Sequence, residues 1–215
     1  MFCASNCADR IPTILTAGNH DATLANKARL DCLTPIVDSL NHPNLYYLKE
    51  SDVFRYENIL FNNFSVFDDP EKYLMYDKIA TKYKNETDHH IALFHGPVNN
   101  AMTDVGYMVS SRSITNELFD GHHIAMLGDI HKHQILQEYN DVDNKPLIVY
   151  AGSMIQQNHG EEIKGHGFLL WDLKRRIFKH YELTNDYGFF TIEINKGTLI
   201  TDITNIPKKA RVRTM

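Results

Sequence analysis

Short apolar runs of β-favouring residues, each stopped by glycine or by a turn cluster, constrain the fold of this 215-residue chain more than any other feature. Ile11 to Ala17 runs into Gly18-Asn19-His20-Asp21, Ile91 to Phe94 into His95-Gly96, and Ile124 to Leu127 into Gly128-Asp129-Ile130-His131. A run of that length ending at glycine reads as a buried strand giving way to a loop, and ligands of α/β sheets gather at carboxyl-end loops. The three polar clusters are therefore expected to meet in space. Imidazole, carboxylate and amide oxygen together suit Mn, Zn or Fe better than Mg or Ca alone, so a divalent-metal centre is the leading expectation.

Other runs extend the strand pattern: Leu45 to Leu48, Val53 to Tyr56 with Ile59 to Phe67, Ile135 to Tyr139, Leu147 to Ala151, Gly167 to Leu173, Ile177 to Leu183 and Phe189 to Ile194. Asn140 to Asn144 and Asn185 to Gly188 supply turn chemistry between them. Leu30, Leu33, Val37 and Leu40, spaced three, four and three, predict one face of a helix ending near Asn41-His42-Pro43. Tyr73 to Tyr83 predicts a second helix, followed by a polar connection over Lys84 to Asp88. Early helices with strands throughout predict an α/β chain of two packed mixed sheets flanked by helices. Asn185 to Gly188 is the expected boundary between residues 1–186 and 187–215, because a new alternating strand starts directly after it.

Composition excludes several classes. An apolar content of 43% supports a real core, and no stretch approaches the eighteen or more apolar residues of a membrane span. The amino end lacks a basic segment followed by a long apolar one, so a soluble, cytoplasmic protein is expected. Cys3, Cys7 and Cys32 make an odd count without a Cys-x-x-Cys pair, which argues against a disulfide framework or zinc ribbon and for a reducing setting. Their leader reads as disordered or helical. The net charge of −5 gives no global attraction to nucleic acid, although metal ions at a site would offset its carboxylates. Lys208, Lys209, Arg211 and Arg213 read first as a solvated strand or tail, with a phosphate-backbone contact as the alternative.

Taken jointly, Gly18-Asn19-His20-Asp21, the later His95-Gly96 and the Gly128-Asp129-Ile130-His131-Lys132-His133 segment resemble the motifs of the calcineurin-like metallophosphoesterases. Val149 to Ser153, His159-Gly160-Glu161 and Lys164 to Phe168 resemble the continuation of those motifs in the SbcD-type double-strand-break repair nucleases. The likeness runs from about Asp9 to about Arg213. It implies a four-layer α-β-β-α sandwich, here lacking its first strands, and two divalent ions, Mn foremost, with Mg, Fe or Zn as alternatives. It also implies DNA as substrate, 3′ to 5′ exonuclease and single-strand endonuclease activity, a homodimer, and an SMC-like ABC ATPase partner.

Carried over residue by residue, the resemblance implies that Asn19, His95 and Asp129 ligate one ion and His131 its neighbour. His20 would sit over the phosphate and stabilise the developing charge or protonate the leaving oxygen, with Asp21 orienting it or capping its own turn. Asp129 stands where most of the superfamily has histidine, so either Asp129 ligates through oxygen or His133 takes over a metal or DNA role; the carboxylate is read as keeping the ligand role, with His133 at the rim as a candidate substrate contact. Gly152 and Ser153 are expected to offer N–H groups and a hydroxyl to phosphate, and His159 and His166 are candidate phosphate or DNA contacts. Tyr107 and Ser110-Ser111-Arg112 resemble a substrate-facing loop. His89, His90, His122 and His123 read as surface turn residues.

Two departures stand out. The family's opening Asp-x-His and its Gly-Asp are absent, since Asp9 is the sole carboxylate before Gly18, and this leaves His131 without companion ligands. Residues 189–215 resemble only the beginning of a capping domain. A fragment with weak metal affinity is the expected explanation, with a general phosphoesterase acting on nucleotides or phosphoproteins, or a catalytically dead remnant, as the alternatives.

Overall fold

A computed structural model describes residues 2–25, 30–83, 89–204 and 206–215, apart from the side chains of residues 2–4. In chain order the elements are α1 (Phe2–Ala8), β1 (Thr13–Thr16), α2 (Thr34–Leu40), β2 (Leu45–Leu48), β3 (Asp52–Tyr56) and β4 (Ile59–Phe64). After a 3-10 turn at Pro70–Lys72 come α3 (Tyr76–Lys82), β5 (His89–His95) and, past a second such turn at Asn116–Phe119, β6 (Ile124–Gly128). The remaining strands are β7 (Gln134–Gln137), β8 (Leu147–Tyr150), β9 (Gly167–Asp172), β10 (Ile177–Glu182), β11 (Tyr187–Ile192), β12 (Ile194–Asn195), β13 (Thr198–Leu199) and β14 (Lys209–Thr214). The side chain of Cys3 and the connection over 84–88, both given expectations above, lie outside the described residues.

One six-stranded mixed sheet, ordered β3-β4-β5-β6-β8-β7, dominates the molecule. β4, β5, β6 and β8 run parallel, while β3 and β7 close the two edges antiparallel. The parallel centre is buried on both faces, as such strands require. Ala92, Ala125, Ile148 and Tyr150 are fully buried in one cluster with Phe94, Leu127 and Phe119, while Ile91, Ile124 and Val149, pointing the other way along the same strands, are each 1% exposed. Four two-stranded sheets accompany it: β1-β2 and β11-β14, both parallel, and the antiparallel hairpins β9-β10 and β12-β13.

The expected four-layer α-β-β-α sandwich is not what the chain forms. Strands make up 35% and helices 12% of it, and the strands divide among several small sheets. The three described helices have seven residues each. A helix of that length spans about 10 Å, whereas six paired strands extend over about 24 Å, so no helix here can form a covering layer. α2 buries none of its side chains and α3 buries Ile79 alone. The strand runs are where the sequence puts them; it is the layering that differs.

Local chemistry explains the shortened helices. Leu30, expected on the helical face, lies before α2 and is 60% exposed. The buried Asp31 accepts bonds from the amides of Leu33 (3.0 Å) and Thr34 (2.7 Å), and Pro35 follows in the first turn, so the helix starts there. Burial works against the charge of Asp31, but Thr34, Lys49 and Tyr47 outweigh it and hold the carboxyl well below the usual range. Past the expected boundary, Gln156 is buried and grips β11 on both sides: its Oε1 accepts from the Phe189 amide (2.8 Å) and its Nε2 donates to the Phe189 carbonyl (3.1 Å).

Candidate functional site

Three loops converge at the carboxyl end of the sheet. His95 ends β5, in register with Gly128 at the end of β6, and Asp129 follows at once. Asn19 arrives from the turn after β1, in a different sheet. Asn19 Nδ2 donates to Asp129 Oδ1 (2.9 Å), Asn19 Oδ1 lies 3.3 Å from His95 Nε2, and His95 Nε2 lies 3.7 Å from Asp129 Oδ1. Ligands about 2.1 Å from an ion are themselves about 3.0 to 3.4 Å apart in octahedral or tetrahedral arrangements; the Asn19–His95 spacing falls in that range, the His95–Asp129 spacing lies slightly beyond it, and the donor types are ones a divalent metal accepts.

The backbone is shaped to allow it. A β-carbon at Gly128 would sit 2.8 Å from His95 Nδ1, so the imidazole packs flat against β6 only because that position is glycine. Asp129 has φ of +90°, a conformation unusual for a residue with a side chain and one that clusters at functional sites. Tyr150, fully buried on β8, donates to the Gly96 carbonyl (2.6 Å) and accepts from the Val98 amide (2.9 Å), which pins the turn after His95 to the core. Burial depresses the pKa of His95, and the carboxylates of Asp129 and Asp21 only partly offset it. The neutral imidazole that a metal requires is thus the favoured form.

His131 stands two residues beyond Asp129, with 43% of its side chain exposed. Its Nδ1 lies 2.8 Å from Oε1 of Glu161, whose side chain is 1% exposed. Glu161 also accepts from Asn158 Nδ2 (2.6 Å) and the Gln157 amide (2.7 Å). Asp104, Asp129, His131, Asn158 and Glu161 line a cleft of about 220 Å³. Burial first, then the charge of Glu161, raises the pKa of Asp104.

The other expected site residues are placed as follows. His20 is exposed and close enough to His95 for its charge to act on that imidazole. Asp21 closes its own turn: its carboxylate accepts from the Gly18 amide (2.7 Å) and the Cys32 thiol (3.6 Å), and no hydrogen bond to His20 is seen among the described residues. Gly152 has φ of +79°, and a β-carbon there would sit 2.8 Å from the His131 carbonyl oxygen and 2.9 Å from the His133 amide nitrogen, so the position admits no side chain. The Ser153 amide donates to the His131 carbonyl (2.9 Å) and its hydroxyl meets His166 Nδ1 (2.8 Å), so both polar groups are engaged within the protein. His166 Nε2 donates to the Glu162 carbonyl (2.7 Å), which leaves that ring fully engaged. His133 Nδ1 donates to the Tyr150 carbonyl (2.8 Å) while its ring packs on His180 and Phe178. His159 lies edge-on to Phe189, its Nδ1 buried and without a hydrogen-bond partner among the described residues.

Four histidines are corrected. His90 and His122 are buried, not surface turn residues, and His89 and His123 stack beside them at the opposite end of β5 and β6. Sequence reasoning assigned no role to Asp104 or Glu161. Glu161 carried a faint signal, an acid between His159-Gly160 and Lys164-Gly165, whereas Asp104 carried none.

No family model matches the chain. It is 45% identical over 207 residues to an uncharacterized protein of Acanthamoeba polyphaga mimivirus, a match that covers 94% of this chain but 15% of the viral protein. The chain therefore spans under a sixth of the length of that relative. Among the described residues, no helix is long and apolar enough to cross a membrane.

Proposed function

We propose that the chain carries the site of a Mn-dependent nuclease that hydrolyses phosphodiester bonds in DNA, acting in the manner of the SbcD-type enzymes its motifs resemble. The observation that carries the reading is the convergence of Asn19, His95 and Asp129, which are separated by 76 and 110 residues in sequence but joined within 3.7 Å. Asn19 Oδ1, His95 Nε2 and Asp129 Oδ1 would hold the ion, with His131 toward a neighbour. A bound divalent ion supplies Lewis acidity toward a phosphoryl oxygen and lowers the pKa of coordinated water. Tyr150 keeps His95 in register, Gly128 leaves room for its ring, and Asp21 holds the turn that presents Asn19. His20, exposed on that same turn, is the group with freedom to reach a bound phosphate and give its proton to the leaving oxygen. DNA as substrate, a homodimer, an SMC-like ATPase partner and a cytoplasmic setting belong to this same proposal.

The test is cleavage of end-labelled single- and double-stranded DNA by the full chain with Mn, beside hydrolysis of bis(4-nitrophenyl) phosphate. Cleavage of DNA that His95→Ala reduces by about a hundredfold or more is the expected result, since a ligand should matter at least as much as its outer-shell support. Hydrolysis of the small ester without DNA cleavage would replace the nuclease by a general phosphoesterase, and no hydrolysis of either would overturn both.

A further inference from the structure

A second group of side chains of metal-ligating type lies beside the first cluster; the motif resemblance accounts for His131 in it, but not for Asp104 or Glu161. Ligand atoms of Asp104, His131 and Glu161 all lie within 4.8 Å of one another. We infer that these three residues form a divalent-cation site of their own, separate from Asn19, His95 and Asp129, and selective for a first-row ion such as Mn or Zn. The inference deepens the reading above in that it gives His131 the companion ligands its motif lacks, but it does not require phosphodiester chemistry.

The geometry favours an ion over a fortuitous cluster. Three ligands about 2.1 Å from one ion lie about 3.0 to 3.6 Å apart, so side chains already within 4.8 Å of one another close on an ion by movements on the order of 1 Å. His131 Nδ1 and Glu161 Oε1 stand 2.8 Å apart in a hydrogen bond, slightly closer than two ligands of one ion, and a cation entering there displaces the proton they share. The Gln157 amide donates to Glu161 Oε2 and Asn158 Nδ2 to Oε1, the oxygen that also meets His131, so the carboxylate is fixed in place before any ion arrives. Asp104 sits on a short hairpin tip, where the Thr103 amide donates to the Tyr107 carbonyl (2.8 Å). The stem of that tip is fastened to β7 by Gln134, which accepts from the Met102 amide and donates to the Met102 carbonyl, both at 2.8 Å.

Charge makes the same case independently. Among the described residues, neither Asp104 nor Glu161 forms an ion pair with lysine or arginine; Lys132, the nearest motif cation, pairs with Glu162 instead. Lys132 and Lys164 line the adjoining cleft without pairing with either carboxylate, so the direct partner of the two carboxylates is one imidazole, and the cleft they line gives an ion a way in. An imidazole among the donors points to Mn or Zn rather than Ca, which takes oxygen ligands.

Calorimetric titration of the full chain with MnCl2, followed in parallel by the loss of free Mn signal in paramagnetic resonance, tests the site without reference to turnover. Asp104→Asn and Glu161→Gln, both close in shape to the native side chains, are expected to weaken one class of Mn binding by about tenfold or more. His95→Ala is expected to leave that class intact. The inference is overturned if Asp104→Asn and Glu161→Gln titrate like the wild-type chain, if His95→Ala alone removes all uptake, or if the wild-type chain takes up no Mn. Uptake that depends on Asp104 in a chain that cleaves neither DNA nor the small ester would keep this site and discard the nuclease.

Discussion

β5 and β6 carry histidines at both ends, and the same residue type meets opposite surroundings 20 Å or so apart, the length of a strand of this size. At the carboxyl end, His95 faces Asn19 and Asp129, His131 faces Glu161, and both border solvent. At the amino end, His90 and His122 pack around Tyr76, with ring centroids 5.3 and 5.1 Å from it, and His123 lies 5.5 Å from His90. No carboxylate pairs with that second group among the described residues. Burial pushes His122 and His123 down to about 4, helped at His122 by the charge of His90 and His123 and at His123 by Arg176 and then His90 and His89.

Hydrogen bonding deepens the contrast. His122 Nδ1 donates to the Phe119 carbonyl (3.0 Å) and Nε2 accepts from Asn62 Nδ2 (3.2 Å). Both nitrogens are suited to the neutral ring, and a proton on Nε2 would face the N–H of Asn62. A histidine is therefore a metal-site candidate only where oxygen donors and water meet it; where aromatic rings do, it is core.

The largest effect that would break this comparison is acid sensitivity. His122 has a folded pKa of about 4 against an unfolded value near 6.5, so the unfolded chain binds the extra proton between those values. Its contribution is complete above about pH 6.5 and falls by about 3 kcal/mol as pH drops toward 4. Urea midpoints across that range should decline in the wild-type chain and decline less in His122→Gln, and equal slopes would show that this end is not protected as described.

Next in size is the brace at the other end. Tyr150→Phe strands the buried Val98 amide and the Gly96 carbonyl, and should lower unfolding free energy by about 2 kcal/mol in urea titration. A loss below about 0.5 kcal/mol would mean that the turn after His95 holds without it. The smallest effect separates support from chemistry. His20→Ala, at an exposed position, should shift stability by no more than about 0.5 kcal/mol while leaving Mn uptake unchanged. Reduced uptake in calorimetry would make His20 a ligand and redraw the site.

Much of the strand inventory was legible. Leu45 to Leu48 is β2 residue for residue, and Ile124 to Leu127 and Ile177 to Leu183 miss β6 and β10 by one residue at one end. The meeting of His95 and Asp129 was legible too, because runs of a parallel sheet end on one side of it, whereas Asn19 comes from a separate two-stranded sheet whose docking no strand-end rule fixes. Asp104 was not, since its position depends on Gln134 clasping Met102 from 32 residues away, a contact with no local pattern. The helical layers were overread: Leu30, Leu33, Val37 and Leu40 keep helical spacing, but Asp31 and Pro35 delay the start until the face is too short to bury.

By itself, then, the amino-acid sequence determined which segments are extended, where each stops, and which polar residues stand at the stops. Those are properties of side-chain periodicity and of glycine, and both act within a few residues. The tertiary structure alone decided which strands pair, which of the histidines meet carboxylates and which meet rings, and that Asp104 and Glu161 stand beside His131. Burial and electrostatic environment are set by whatever packs opposite, and in this chain the partners lie as many as 110 residues away.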